Sequence, residues 1–173
     1  MVGKSWEQIE TERLILRKFT SEDSAFLLEL MNSPTWLQFI GQRNITTTDD
    51  ARNYILEKFI KSYQTNGFGL NLVVLKNNNT PIGMCGLIKR DSLKDVDIGF
   101  ALLPRYERKG YGYEAATATM KYAKSNLGLS RIVAITNKNN VQSIHLLQKI
   151  GMQFEEMVRL NDTEELMLFA NEQ

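Results

Sequence analysis

Two glycines and three cationic residues in the middle of the chain form the segment with the clearest chemical potential. Gly110 and Gly112 precede a run with helical periodicity, and Arg105, Arg108 and Lys109 precede the glycines. The first turn of a helix offers unpaired backbone N–H groups and about half a positive charge, so it attracts anions. Glycines let the backbone curl closely around such an anion. This segment, residues 105–112 and called the glycine loop below, therefore predicts a phosphate site suited to the pyrophosphate of a nucleotide cofactor.

The same glycines also satisfy the dinucleotide pattern Gly-x-Gly-x-x-Ala, with Ala115 in the last position. Three features disfavour a dinucleotide-dependent oxidoreductase. That fold requires a tight strand-to-helix turn, whereas residues 104–109 insert a longer basic loop. The next predicted strand ends at Thr136 and Asn137, with no acid to bind a ribose hydroxyl. The unit also follows three antiparallel strands instead of opening a parallel sheet.

The scarcity of cysteine and histidine limits the kinds of catalytic and metal-binding site that the chain can form. Cys85 is the only cysteine and His145 the only histidine among 173 residues. An internal disulfide, a cysteine-rich zinc site and a multi-histidine metal site are therefore excluded, and we expect no metal. Cys85 lies in an apolar run and is expected to be a buried small hydrophobe. His145 lies beside the apolar face of the last predicted helix and is expected on the surface or in packing.

The composition is that of an ordinary globular chain, in which 43% of residues are hydrophobic and 24% are charged. The 21 basic and 20 acidic residues leave a net charge of +1. This balance disfavours a nucleic-acid partner, because phosphate contacts demand a basic surplus. The first seven residues lack the apolar core of a signal peptide, and no apolar run approaches membrane-span length. We therefore expect a cytoplasmic protein with no membrane partner and a single domain over residues 1–173.

Hydrophobic periodicity predicts the elements that must position the glycine loop. Strands are predicted at residues 13–19, 68–75, 82–89, 96–103, 131–136, 152–160 and 164–169. Helices are predicted after Thr20 up to Pro34, from Thr48 to Asn66, from Gly112 to about Leu127, and over residues 141–150. Short links between the second, third and fourth strands predict antiparallel hairpins, and the crossover through the glycine loop predicts one parallel pair. The fold class is therefore α/β (α+β), with a mixed, mostly antiparallel sheet and helices on both faces.

Four segments of the sequence together form a recognisable pattern. They are the opening strand Thr11–Arg17, the acidic-x-Gly-aromatic strand Asp97–Phe100, the glycine loop, and Asn140-x-x-Ser143 followed by Lys149-Ile150-Gly151-Met152. In this order they resemble the GNAT N-acetyltransferase superfamily, and within it the Rim-type branch that includes ribosomal-protein N-terminal acetyltransferases. The glycine loop resembles the acetyl-coenzyme A loop Gln/Arg-x-x-Gly-x-Gly/Ala of that family, although Glu107 stands where Gln or Arg is usual. The resemblance covers nearly the whole chain and implies the acyl-CoA N-acyltransferase (GNAT-like) fold.

The resemblance also implies where acetyl-CoA binds. In the family, the strand equivalent to Asp97–Leu102 splays from the next parallel strand, and the pantetheine arm enters the gap and pairs with its backbone. The phosphates lie at the glycine loop, and an asparagine bonds the arm near its far end. The implied cofactor-binding residues are Phe100, Ala101, Leu102, Arg105, Arg108, Lys109, Gly110, Tyr111, Gly112, Tyr113 and Asn140.

The implied reaction transfers an acetyl group to a primary amine, which must lose a proton before it attacks. Asp97 is the candidate base or water relay, because the family often has a carboxylate on this strand; a solvated position before the strand is the alternative. Many family members use a tyrosine as the acid where this chain has Leu147. Ser143 is therefore the candidate proton donor to the thiolate, unless the thiolate leaves without one. A strand N–H near Phe100 or Ala101 would stabilise the oxyanion.

We therefore predict an acetyl-CoA-dependent N-acetyltransferase that acts by direct transfer on a protein N-terminus or a small-molecule amine. The alternative is a non-catalytic acyl-CoA-binding or interaction module on the same fold, motivated by Glu107 and the missing tyrosine. Residues 36–40 are predicted to line the acceptor site, although Trp36, Phe39 and Tyr63 are of types more often found in a core. The chain is predicted to be a monomer or a homodimer.

Overall fold

The computed structural model describes residues 8–171, which form one eight-stranded sheet flanked by helices. The strands are β1 (Gln8–Glu10), β2 (Leu14–Lys18), β3 (Leu70–Leu75), β4 (Thr80–Ile88), β5 (Asp97–Leu102), β6 (Val133–Thr136), β7 (Met152–Arg159) and β8 (Glu165–Asn171). The helices are α1 (Ser24–Met31), α2 (Pro34–Phe39), α3 (Thr48–Tyr54), α4 (Lys61–Asn66), α5 (Tyr111–Leu127) and α6 (Val141–Lys149). Residues 1–7, on which the expectation about a signal peptide rests, lie outside the described residues.

The strand order across the sheet is β1-β2-β3-β4-β5-β6-β8-β7. All neighbouring strands pair antiparallel except β5 and β6, which are parallel. The predicted hairpins, the parallel pair and the mixed sheet are therefore confirmed. The edge strand β1 was not predicted, because its three residues are too few to show a period of two.

Helices cover both faces of the sheet, as the hydrophobic pattern predicts. On one face, α5 and α6 pack over a core of strand residues that includes Leu16, Ile98 and Phe169. On the other face, α1, α2 and α3 cover a second core that contains Phe19 and Leu72. The two cores together hold β5 from both sides, so that its position is fixed by packing rather than by hydrogen bonds alone.

The helix α5 lies close to the sheet because its buried face is made of small residues. Ala115, Ala116, Thr119 and Ala123 are all buried. The Thr119 hydroxyl and the Cys85 thiol of β4 lie 3.4 Å apart. Cys85 is buried, as predicted, and this burial raises the pKa of its thiol to about 12. The thiol therefore stays protonated and packs as a small apolar group.

The region between β2 and β3 contains more separate helical segments than the sequence predicts. The first predicted helix ends at Met31 instead of Pro34, and Pro34 is the first residue of the short helix α2. Proline suits that position, because the N–H of the first helical residue has no hydrogen-bond acceptor within the helix and its absence costs nothing. Further along, residues Ile55–Ile60 form a π-helical stretch between α3 and α4. The predicted end at Gly67 is confirmed, with its left-handed φ of 77°.

The parallel pair of strands is in contact only at its beginning. Within the described chain, Asp97 and Val133 are the one residue pair of β5 and β6 in register, although β5 continues to Leu102. The N–H of Val133 also donates to the carbonyl of Val96 at 3.0 Å. Beyond this point the two strands diverge, as the family resemblance implies. A gap therefore opens between the carboxyl ends of β5 and β6, beside the first turns of α5 and α6.

Neither a membrane-spanning helix nor a metal-binding cluster is found in residues 8–171. No helix in this range is both long and apolar enough to cross a membrane. No three His, Cys, Asp or Glu side chains in it come together in a group that could hold a metal ion.

Candidate active site

A cleft of about 340 Å³ opens where β5 and β6 diverge, a volume within the range of small-molecule sites. Four parts of the chain form its walls: the end of β5, the glycine loop with the start of α5, the helix α6, and the helix α2 opposite. The residues that line it are Ser33, Thr35, Trp36, Phe39, Ile40, Phe100, Ala101, Leu102, Glu107, Arg108, Gly110, Gly112, Tyr113, Asn140, Gln142, Ser143, His145, Leu146 and Lys149. Nine of the thirteen predicted site residues therefore meet at one cleft.

The strand β5 directs alternate backbone groups toward this cleft. Successive residues of a strand point their N–H and C=O groups to opposite sides. The carbonyl of Val96 accepts a hydrogen bond from β6, whereas the N–H of Leu103 donates to β4. Even-numbered residues of β5 therefore face β6, and odd-numbered residues face β4. Past the point of divergence, the N–H and C=O groups of Phe100 and Leu102 face the cleft, where β6 no longer pairs with them.

Ala101 has the opposite backbone orientation. Its carbonyl faces β4, since a side chain on Gly83 would come within 2.2 Å of that oxygen. That side of β5 is paired with β4, so pairing of the Ala101 backbone with the cofactor arm stays a prediction without geometric support. Of the two candidate N–H groups, that of Phe100 faces the cleft and that of Ala101 faces β4. Ala101 lines the cleft with its side chain.

The first turn of α5 gives the cleft an anion site. Gly110 is the residue before the helix and has a left-handed φ of 84°, a conformation that glycine adopts without strain. The first N–H groups of the helix that follow it have no intrahelical partner. At Gly112 a side-chain carbon would lie 3.3 Å from Leu146 and 3.7 Å from Leu102, so any side chain would fill the cleft here. Both glycines therefore keep the backbone of the loop accessible to a ligand.

An ion pair fixes the start of α5 to the first long strand. Glu114, in the first turn of α5, accepts hydrogen bonds from the Thr11 hydroxyl, the Arg13 N–H and the Arg13 side chain. The Arg13 guanidinium also donates to the carbonyl of Lys109 at 3.1 Å and lies 4.3 Å from the centre of the Tyr111 ring. Burial alone would raise the pKa of Glu114, but the bonds from Thr11 and Arg13 outweigh burial and lower it. Glu114 therefore stays ionised and paired, so that it leaves the helix N-terminus to a ligand anion.

Cationic groups line the cleft around this anion site. The Arg108 guanidinium reaches across to α6, where the Gln142 amide oxygen, in its bonded orientation, accepts from Nε and Nη2 at 2.9 Å. On the same helix, the Lys149 ammonium lies 4.3 Å from the centre of the Tyr113 ring. His145 is exposed and lines the cleft between them. Phosphate groups at the glycine loop would therefore meet positive side chains from two elements.

Among the lining residues that were not predicted, four belong to α6, and a signal for them exists. Gln142, His145, Leu146 and Lys149 lie at intervals of three and four residues, so they share one face of α6. Sequence analysis assigned His145 a surface or packing role. The exposure is confirmed, but the helical period alone could have placed His145 and Lys149 beside Asn140 and Ser143.

Three predicted cofactor residues have side chains that do not line the cleft. The Arg105 guanidinium is directed to Glu29 of α1, at 2.9 Å, and the Tyr106 ring. Lys109 is exposed on the outer side of the loop, and the Tyr111 ring packs against Arg13. A contact of Lys109 or Tyr111 with a ligand in the cleft would therefore need their backbone groups, which lie just before and at the start of α5. For Arg105 it shows no contact with the cleft.

Asp97 is also outside the cleft. Its side chain is only 1% exposed, and the Arg90 Nε lies 3.2 and 3.4 Å from its two carboxylate oxygens. Burial raises the pKa of Asp97 to about 6, although the Arg90 charge opposes this shift. The residue lies at the base of the gap, at the start of β5, and its side chain is not among those that line the cleft. A direct contact between this carboxylate and an amine in the cleft therefore has no geometric support.

The other catalytic candidate, Ser143, does line the cleft. It lies in the first turn of α6, and its N–H donates to the Asn140 side-chain oxygen at 3.2 Å. Asn140 is thus the N-cap of the helix, and its side-chain oxygen is used in this cap. Leu147, at the position where many family members have a tyrosine, is 1% exposed and belongs to the core.

The wall opposite α6 consists of residues from α2 and its ends. Trp36, Phe39 and Ile40 line the cleft, so the predicted acceptor segment does reach it. Trp36 is also a core residue with 5% exposure, and its indole N–H donates to the Gly41 carbonyl. Tyr63, in contrast, is a packing residue whose hydroxyl accepts from the Phe19 N–H and donates to the Leu70 carbonyl.

Comparisons with known proteins show which proteins this chain resembles. The family model described as the acetyltransferase (GNAT) domain matches residues 13–153. The uncharacterized N-acetyltransferase YnaD of Bacillus subtilis is 29% identical over 147 residues, which cover 85% of this chain and 83% of that protein. A GNAT-family acetyltransferase from Bacillus anthracis has a solved structure that superimposes with a TM-score of 0.78, with 28% identity and coverage of 94% and 96% of the two chains. RimL, a ribosomal L7/L12 α-N-protein acetyltransferase solved with coenzyme A, superimposes with a TM-score of 0.81 at 18% identity, with coverage of 95% and 97%.

Proposed function

The chain belongs to the GNAT acetyltransferase family, and we propose that it transfers the acetyl group of acetyl-CoA directly to a primary amine while both substrates are bound. The amine is that of a protein N-terminus or of a small molecule. One observation supports this proposal above the others. The unpaired backbone edge of β5 at Phe100 and Leu102 and the open first turn of α5 face the same cleft.

The residues of the cleft suit each part of acetyl-CoA, which supplies the thioester. The backbone groups of Phe100 and Leu102 would pair with the amides of the pantetheine arm, as a further strand would. The N–H groups at the start of α5 would hold the pyrophosphate, and Arg108 and Lys149 would neutralise phosphate charge. The side-chain amide of Asn140 would bond the arm.

The chemistry then needs few protein groups. The amine nitrogen bonds to the acetyl carbon, and the bond from that carbon to sulfur breaks. The N–H of Phe100 would stabilise the negative charge on the carbonyl oxygen. Glu107 and His145, which both line the cleft, are groups that can accept the amine's proton directly or through water. The Ser143 hydroxyl would donate a proton to the thiolate.

Replacement of Gly112 tests the assignment of the cofactor site. An aspartate at this second helical position favours the helix, because its charge complements the helix dipole. Its side chain, however, would enter the cleft beside Leu146 and repel a pyrophosphate. We expect Gly112→Asp to raise the KM for acetyl-CoA at least about tenfold and to remove the rise in melting temperature that acetyl-CoA causes. Thiol release with a panel of amines and thermal shift measure the two effects.

Gly128→Asp is the matched control. Gly128 ends the same helix with a φ of 67° and has no atom near its missing side chain, about 24 Å from Gly112. The change strains the backbone more than Gly112→Asp does, yet the KM for acetyl-CoA should stay within about twofold. Normal use of acetyl-CoA by Gly112→Asp would contradict the site. A thermal shift without acetylation of any amine would contradict the transferase and favour a binding module.

A further inference from the structure

The helix α2 contributes a wall to the cleft that the cofactor elements do not provide. We call Thr35, Trp36, Phe39 and Ile40 the acceptor wall; all four line the cleft opposite α6. Since β5, the glycine loop and α6 are the parts suited to acetyl-CoA, this wall remains for the acceptor. The inference below therefore rests on the proposed transferase function.

The acceptor wall is apolar and firmly held. Trp36 is 5% exposed and donates its only polar hydrogen to Gly41 at 3.1 Å, so that it offers the cleft no polar group. Phe39 and Ile40 add an aromatic and a branched aliphatic side chain. The Thr35 hydroxyl is the single polar side-chain group of the wall. Such a surface favours burial of an apolar group of roughly one side chain in size.

The charges of the cleft come from other elements than this wall. Arg108 of the glycine loop contacts Gln142, and Lys149 of α6 contacts the Tyr113 ring. Glu107 is the one carboxylate among the residues that line the cleft. An acceptor with several ammonium groups needs several carboxylates, because a desolvated ammonium without a partner is costly. The cleft provides a partner for one ammonium group and not for three or four.

We propose that the acceptor has one primary amine next to an apolar group, such as an aryl or branched alkyl group, and that polyamines and aminoglycosides are poor substrates. The apolar group rests on the acceptor wall, and this places the amine near the N–H of Phe100. Desolvation beside the wall also lowers the pKa of the ammonium, so that more of it is present as the free nucleophile. This effect reduces the demand on a dedicated base, in agreement with the position of Asp97 outside the cleft.

Acetylation rates with four amines test the proposal. The probes are phenethylamine, isoamylamine, spermidine and a tetrapeptide with an N-terminal phenylalanine. We expect kcat/KM for phenethylamine or for the peptide to exceed that for spermidine by about tenfold or more. A higher value for the peptide would identify the amine as a chain terminus, and a higher value for phenethylamine would identify a small molecule; both results support an apolar monoamine. A preference for spermidine would overturn the inference and leave the transferase function intact, whereas no acetylation of any amine would overturn both.

Leu37 of α2 and Ile40, the residue that follows this helix, provide a matched pair of variants. Ile40 is 37% exposed and lines the cleft, whereas Leu37 is 44% exposed and does not. We expect Ile40→Asp to lower kcat/KM for phenethylamine about tenfold, with an unchanged KM for acetyl-CoA. Leu37→Asp introduces the same charge at similar exposure and should leave both constants within about twofold. Equal effects of the two changes would show that the wall does not contact the acceptor, and would overturn the proposal.

Discussion

Asp97 brings a carboxylate into the interior of the sheet at the point where β5 and β6 diverge. Its side chain is almost fully buried, and Arg90 is its ionic partner. Because burial penalises the charged form more than Arg90 compensates, the pKa of Asp97 rises to about 6. The folded protein therefore binds a proton at this residue over a pH range in which the unfolded chain has already released it.

The Asp97→Asn variant should show a weaker dependence of stability on pH. The pKa of Asp97 is about 6 in the folded protein and near 4 in the unfolded chain. The protonated carboxyl group therefore stabilises the fold below pH 4, and this contribution is lost as the pH rises through 6. The loss amounts to about 3 kcal/mol in the free energy of unfolding. Asparagine does not titrate, so the fall in stability between pH 4 and pH 7 should be smaller in Asp97→Asn. Urea unfolding of both proteins at a series of pH values measures this difference in the free energy of unfolding.

The same variant also tests a catalytic role for this carboxylate. We expect any loss of turnover to be equal at pH 7 and pH 9, because the carboxylate does not reach the cleft; a larger loss at pH 7 would identify it as the base. Asp49→Asn is the control, since Asp49 also pairs with an arginine but has a side chain that is 79% exposed. An unchanged pH dependence of stability in Asp97→Asn would contradict the burial argument.

At the scale of the elements, the start of β2 and the start of α5 are linked through Arg13 and Glu114. This contact spans about a hundred residues of sequence, and Arg13 also bonds to the backbone of the glycine loop at Lys109. The Arg13 side chain is 42% exposed, so the pair adds little to stability. Its effect is to fix the orientation of the loop.

Arg13→Gln should therefore affect cofactor binding more than folding. We expect the KM for acetyl-CoA to rise about threefold to tenfold and kcat to stay within about twofold, because the loop loses its orientation while the reacting atoms keep theirs. The melting temperature should fall by only a few degrees. Steady-state kinetics with one saturating amine and thermal shift measure these effects.

The control for Arg13 is Arg52→Gln, which breaks the exposed ion pair with Asp49 on α3. It should leave the kinetic constants unchanged. If Arg13→Gln also leaves the kinetic constants unchanged, the contact between Arg13 and the glycine loop does not contribute to cofactor binding. If both variants lower kcat equally, the effect belongs to general stability.

Local patterns were sufficient to predict most elements and the position of the glycine loop at the start of α5. Gly110 and Gly112 at a helix start, and the small buried face of α5, are signals within a few residues of each other. The acceptor side was less visible, because Pro34 reads as a helix end although it begins α2. The pairing of Arg105 with Glu29 and of Asp97 with Arg90 could not be predicted, because tertiary contacts set these partners and no local pattern encodes them.

For the whole molecule, the gap divides the sheet into two parts. The strands β6, β8 and β7 join the other five through one residue pair in register. They are also joined through the contact between α5, which packs on β4 and β5, and α6, which packs on β6 and β7. A ligand that pairs with Phe100 and Leu102 would therefore join the two parts along the divided edge. This accounts for the expectation that acetyl-CoA raises the melting temperature.

The thiol content of the folded molecule gives a final prediction. Cys85 is the only cysteine, it is buried, and burial keeps its thiol protonated. A thiol reagent such as 5,5′-dithiobis(2-nitrobenzoic acid) requires an accessible thiolate. We expect no reaction with the native protein over the time of an assay and one thiol per chain after denaturation in guanidinium. Rapid titration of the native protein would show that Cys85 is exposed by opening of the sheet.

The burial of this thiol has a consequence for the redox behaviour of the catalyst. RimL, which shares the fold, has been solved with coenzyme A in a disulfide with one of its cysteines. This chain has no accessible sulfur with which released coenzyme A could form such an adduct. Oxidising conditions should therefore neither trap the product on the enzyme nor link two chains covalently. Turnover should be insensitive to the ratio of reduced to oxidised glutathione.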